Sequence, residues 1–180
     1  EEFGAGMVTN VTEGTMNAIR EALVDAYQNG KTGRDTAKQI QEMIGLTERD
    51  VRQLRRLDEG LEAQIAAGEI TELEADEFIS RWIKEKVKYR AHVIAEHELN
   101  KASNIGQEAL WKEADARGLL PKGTLRMWVV TPDDRLCPIC RPMAGEQTLV
   151  GQPWTTSVGA VFTPQDIHVR CRCSQVLAIL

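Results

Sequence analysis

Cysteine is missing from the first 136 residues of this chain, and no apolar run approaches the roughly 18–20 residues needed to cross a bilayer. The second absence excludes a membrane-spanning helix. The start, Glu1-Glu2-Phe3-Gly4, has neither an initiator Met nor the pattern of a secretory leader, which disfavours a disulfide framework. That start, and a strand-like end from Gln175 to Leu180, point to an excerpt of a longer protein. A cationic excess is also lacking. The net charge is −5, which opposes a general nucleic-acid coat, since such a coat needs Lys and Arg to displace counterions. No serine sits in a nucleophile elbow, and no glycine-rich loop opens a helix after a strand. The chain is therefore read as a non-enzyme without a small-molecule substrate.

What is present is concentrated near the end. All four cysteines lie in Cys137-Pro-Ile-Cys140 and His168-Val-Arg-Cys171-Arg-Cys173. Zn²⁺ is held by four Cys or His ligands in a tetrahedron, and short-spaced pairs chelate it best. Five candidates compete for four positions: Cys137, Cys140, His168, Cys171 and Cys173. On an extended strand Cys171 and Cys173 share a face and His168 points away. If the chain turns at 168–171, His168 and Cys171 chelate together and Cys173 drops into the sheet as a small apolar residue. The preferred set is Cys137, Cys140, His168 and Cys171, with Cys173 as the substitute. A closed shell of four protein ligands makes a structural zinc site. A zinc deaminase needs His-x-Glu and Pro-Cys-x-x-Cys; here His97 and Glu98 adjoin, and Leu136 precedes Cys137. His92 and His97 are five apart, the wrong spacing for a shared ion.

The expected fold class is α+β: an N-terminal helical region with one long helix (residues 1–118), then a small antiparallel sheet with a structural zinc site (residues 119–180). Thr12 and Thr15 are candidate caps for a first helix ending at Asn29-Gly30. A second runs through Ala37, Ile40, Met43 and Ile44. Thr47 caps a third, and Thr71-Glu-Leu-Glu74 is a capping box for a long fourth. The stripe of that fourth helix reads Ile79, Trp82, Ile83, Val87, Ala91, Ile94, Ala102 and Ile105, and Glu98 falls on it. A carboxylate on a buried face is costly unless paired, so Glu98 is read as a buried organiser gripping backbone N–H groups or Arg135, Arg170 or Arg172. Residues 124–131 and 171–180 read as the main strands, and the four Trp residues as filling between helices and sheet.

These residues carry a family likeness. Arg90-Ala-His-Val-Ile-Ala-Glu-His-Glu98 with Ala102 and Asn104 is similar to an Arg-Ala-x-x-Ile-Ala-Arg-Thr-Glu helix. Trp128-Val-Val-Thr-Pro-Asp-Asp-Arg-Leu-Cys-Pro-Ile-Cys140 followed by Met143-Ala-Gly145, and the closing His168-Val-Arg-Cys-Arg-Cys173, complete the pattern. The chain resembles the minor head protein family of tailed bacteriophages, the Mu F-like head morphogenesis domain. It departs at Glu96-His97, where Arg-Thr is usual, and at Val169, where Pro is usual. The resemblance implies a virion component inside the head near the portal, acting in head assembly or genome delivery. Its partners would be the portal and other head proteins, with a possible contact to packaged DNA. It also marks Asp134 and Arg135 as organising residues beside Glu98. Two alternatives stay open: a zinc-ribbon-like nucleic-acid binder, favoured by Arg135, Arg141, Arg170 and Arg172, and the delivery domain of a longer phage-encoded toxin.

Overall fold

The computed structural model describes residues 13–178. It divides into two compact units, Glu1–Ala95 and Glu96–Leu180. The chain changes from helix to strand near residue 118, as the sequence grammar does, but the packing boundary lies earlier, inside the long helix.

The first unit contains α1 (Glu13–Asn29), α2 (Gly33–Gln41), α3 (Glu48–Ala66) and the start of α4 (Glu72–Ala116). Each begins or ends where the local chemistry directs. Thr12 lies outside the described residues, and Thr15 falls within α1. Gly30 follows α1 at φ +62°, a left-handed position that costs Gly little. Thr32 and Thr47 cap α2 and α3 by accepting from the N–H groups of Asp35 (3.2 Å) and Asp50 (3.1 Å). The Thr71 box is reciprocal: Glu74 N–H donates to Thr71 Oγ1 (3.2 Å), and Thr71 N–H donates to Glu74 Oε2 (2.9 Å). The core joins Ile19 and Ala22 of α1, Ala37 and Ile40 of α2, and Ala91, Ile94 and Ala95 of α4. α2 ends earlier than its apolar spacing implied; Ile44 still packs on this core from beyond the helix.

In the second unit, α4 runs unbroken past Gly106, but its buried stripe turns polar. His97, Asn104 and Glu108 are buried, while Ile105, expected inside, is 48% exposed. Three strands form one antiparallel sheet in the order β2–β1–β5, where β1 is Leu125–Val129, β2 Gln147–Leu149 and β5 Ser174–Ala178. Arg126 pairs in register with Thr148 and Leu177, and Trp128 with Gln175. β3 (Trp154–Thr156) and β4 (Gly159–Val161) form a separate hairpin. Alternation along β1 sends Arg126 and Trp128 inward. Trp128 meets Trp154 edge-on, with centroids 5.0 Å apart. The core they begin is completed by Cys140, Met143, Val161, Cys171 and Cys173, so the thiols are core residues as well as candidate ligands. Trp128 and Trp154 are buried; Trp82 and Trp111 are half-buried.

Candidate metal centre

After β1, Thr131-Pro-Asp-Asp134 turns the chain into the first Cys pair. Cys140 N–H donates to Cys137 Sγ (3.2 Å) and Arg141 N–H to the Cys137 carbonyl (3.0 Å), closing a tight knuckle. A 3₁₀ turn, Arg141–Met143, follows. At the other cluster the chain bends and does not run extended. Cys171 N–H reaches back to the His168 carbonyl (3.3 Å), and Arg170 takes the left-handed φ of +62°, uncommon for a residue with a Cβ. That bend breaks the extended backbone between the two; the Cys171 thiol gathers with those of Cys140 and Cys173, and the His168 ring with the thiols of Cys137 and Cys140.

The sulfur and nitrogen atoms converge. His168 Nε2 lies 3.1 Å from Cys137 Sγ and 3.5 Å from Cys140 Sγ. Cys140 Sγ lies 3.7 Å from Cys171 Sγ. The donor atoms form two triads, Cys137–Cys140–His168 and Cys140–Cys171–Cys173, each with all atoms within 4.8 Å of one another. Cys140 belongs to both. All five candidates, with Arg135, Arg170 and Arg172, line a space of about 20 Å³.

These residues fit a metal ion on two grounds. A tetrahedral ion with sulfur at about 2.3 Å and nitrogen at about 2.0–2.1 Å sets S···S edges of about 3.7 Å and S···N edges of about 3.5 Å. The Cys140–Cys171 and Cys140–His168 separations match those edges, and Cys137–His168 is somewhat shorter. The second ground is the tautomer. His168 Nδ1 is 2.8 Å from the Val169 carbonyl, which can only accept, so the proton sits on Nδ1. Nε2 then turns its lone pair toward the sulfurs, the state a ligating histidine needs.

Charge around the cluster is arranged to match. Burying several thiols together forces them to share protons. Hydrogen bonds to Cys171 and Cys173, with burial, push Cys140 far up. Cys171 gains a hydrogen bond from Cys140 but is pushed up to about 12 by Cys173 and by burial. Hydrogen bonds from Cys140 and Cys171 draw Cys173 down to about 3. A cation held by these residues would take the place of those shared protons and would release them on binding. Nearby, Asp133 accepts both guanidinium arms of Arg172 at 2.6 Å and the Arg135 N–H at 3.0 Å. Arg172 holds its carboxyl down at about 2.

A family model described as Phage Mu protein F like protein matches residues 17–176. The chain belongs to this family. No curated protein and no solved structure matches it.

Within this Mu F-like chain, the five ligand candidates come together, but the organising residues are not those expected. Asp134 and Arg135 are exposed, and the bidentate grip on Arg172 belongs to Asp133, because the turn directs its carboxylate back toward residue 172. Glu98 is only half-buried, since the buried stripe of α4 in this unit runs through His97, Asn104 and Glu108. Arg170 is paired with Glu96 instead, at 3.4 Å.

The buried carboxylate of this Mu F-like unit is Glu108. It lies 2.8 Å from Arg126 Nη1 as an ion pair and accepts the Gly151 N–H at 2.8 Å. Arg126 is fully buried. It also donates to Gln175 Oε1 (2.6 Å) and to the carbonyls of Phe162 (3.0 Å) and Gln152 (2.5 Å), and it stacks on Trp154, 3.7 Å from the ring centroid. One signal could have found it: Arg126 shares strand parity with Trp128, so one face had to bury both.

Proposed function

We propose that this chain is a phage head accessory protein without enzymatic activity, a docking module that works inside the virion near the portal in head assembly or genome delivery. Membership of the Phage Mu protein F-like family points to head morphogenesis and to head proteins as partners. Among the described residues no helix is long and apolar enough to cross a membrane.

The second unit is stapled by a structural Zn²⁺, and the observation that carries this reading is the pair of donor triads hinged on Cys140. Cys137, Cys140 and His168 supply three ligands. Cys171, whose sulfur lies 3.7 Å from Cys140 Sγ, supplies the fourth. Cys173 serves as the sheet-core thiol beside Trp128. When bound, the ion supplies cross-linking, and its binding free energy becomes folding free energy.

Elemental analysis with thiol counting tests the metal, with one zinc per chain and protected thiols expected. A chain that takes up no zinc and reacts at all four thiols sinks the staple. Co-purification with a portal ring tests the location, and its absence from assembled heads removes that assignment. The nucleic-acid alternative is weakened by pairing: Arg172 is held by Asp133 and Arg170 by Glu96.

A further inference from the structure

We propose that Gln165 is a positioning residue for the metal cluster, holding the Cys171–Cys173 loop in register with Cys140 and tying that loop to α4. The inference rests on the reading that the cluster binds a metal.

Residues 171–173 lie ahead of the strand pairing, which begins with Ser174 opposite Val129. Their carbonyls therefore have no ladder partner, and an unsatisfied buried carbonyl is costly. Side chains meet the need instead. Gln165 Nε2 donates to the carbonyls of Cys171 (3.3 Å) and Cys173 (2.8 Å), and Thr131 Oγ1 to that of Arg172 between them (3.3 Å). Gln165 is 2% exposed, so water is not available to replace it. Its other end is equally committed, since Oε1 accepts from Asn104 Nδ2 of α4 at 3.0 Å.

The residue is itself fixed in place. It sits in a 3₁₀ turn, Pro164–Asp166, closed by a capping box in which Thr163 N–H donates to Asp166 Oδ2 (2.9 Å). Lys101 of α4 pairs with the same Asp166 at 3.0 Å. Asn104 in turn receives Gln175 Nε2 on its carbonyl (2.7 Å), and Gln175 leads to Arg126 and Glu108. One run of linked polar side chains thus reaches from a buried ion pair to the backbone of two cluster cysteines. Partners outside the ligand shell orient ligands in this way in metal sites.

The test uses the full chain and its Gln165→Met and Gln165→Glu variants. Met keeps length and burial but offers no hydrogen bond. Glu keeps the acceptor for Asn104 but puts an acceptor in place of the two donors. Zn²⁺ affinity is read by competition with a chromophoric chelator, and ligand geometry by the visible spectrum with Co²⁺ as probe. Both variants are expected to bind Zn²⁺ about ten- to hundredfold more weakly and to give altered, weaker Co²⁺ bands, with helical circular dichroism retained. Parent-like affinity and spectrum in both variants overturn the proposal and leave the metal reading standing. A parent chain that takes up neither ion removes both. Failure of both variants to fold with metal present makes Gln165 a folding residue only, which also overturns it.

Discussion

Glu108→Ala should be among the most destabilising single changes in the second unit. The substitution strips the anion from a guanidinium that is fully buried. The remaining partners of Arg126 are neutral: Gln175, two backbone carbonyls and the face of Trp154. Breaking a buried pair from one side costs about 3–5 kcal/mol, because an uncompensated charge stays behind. The Gly151 N–H also loses its acceptor, worth about 1 kcal/mol. Glu108→Gln keeps an acceptor for Gly151 and should cost visibly less. Removing both charges, as Glu108→Leu with Arg126→Met, should recover most of the loss, since apolar replacement of a buried pair is often neutral or better. Urea unfolding followed by the fluorescence of buried Trp128 and Trp154 measures the second unit. With a slope of about 1–3 kcal/mol per molar urea, the Ala variant should lose roughly 1 M or more in midpoint. A loss below about 1 kcal/mol, or strict additivity in the double variant, would refute the buried-pair argument.

Other expectations are narrower. Cys171→Ala should abolish tight Zn²⁺ binding while Cys173→Ala retains it, measured by chelator competition; the reverse order would transfer the fourth ligand to Cys173. Chelation or Cys137→Ser should melt the second unit while the α1–α3 helices survive, so retained near-ultraviolet circular dichroism after both treatments counts against the staple. Burial lowers the pKa of His97, with Lys101 adding to the effect and Glu98 and Asp166 opposing it. A histidine kept neutral in the fold binds its proton more readily when unfolded, so its contribution is present above the unfolded value of about 6.5 and is lost as pH falls from there through the lower folded value. His97→Asn should flatten part of the acid sensitivity between pH 7 and 5, and identical pH profiles for parent and variant would refute this. Thr71→Ala removes the capping box of α4 and should cost about 1 kcal/mol, read as a thermal shift.

The sequence was most legible where one residue type has one physical use. Thr47 and Thr71 announced helix starts, and both caps form. Residues 124–131 and 171–180 were read as partners and contain β1 and β5, which pair. The Cys and His spacing located the cluster, whose five donors gather in two triads that share Cys140. Legibility failed where burial became polar. Tracking apolar side chains along α4 led through Ile105 and made Glu98 the buried acid. The true inner face carries His97, Asn104 and Glu108, and Asn104 and Glu108 reach partners as far as 71 residues away on strands and loops. No local pattern reveals that a carboxylate has an arginine waiting across the fold. The same limit applies at Asp133 and Asp134: two adjacent acids are equivalent in sequence, and only the turn decides which one faces Arg172.

Cys140 serves two neighbourhoods at once, and the load on the five donors is therefore unequal. With the proposed ligands Cys137, Cys140, His168 and Cys171, an exchange at Cys173 would leave all four in place. An exchange at the hub breaks both triads together and opens the apolar centre that the same side chain fills. Across relatives of this protein, position 140 should vary last and position 173 first.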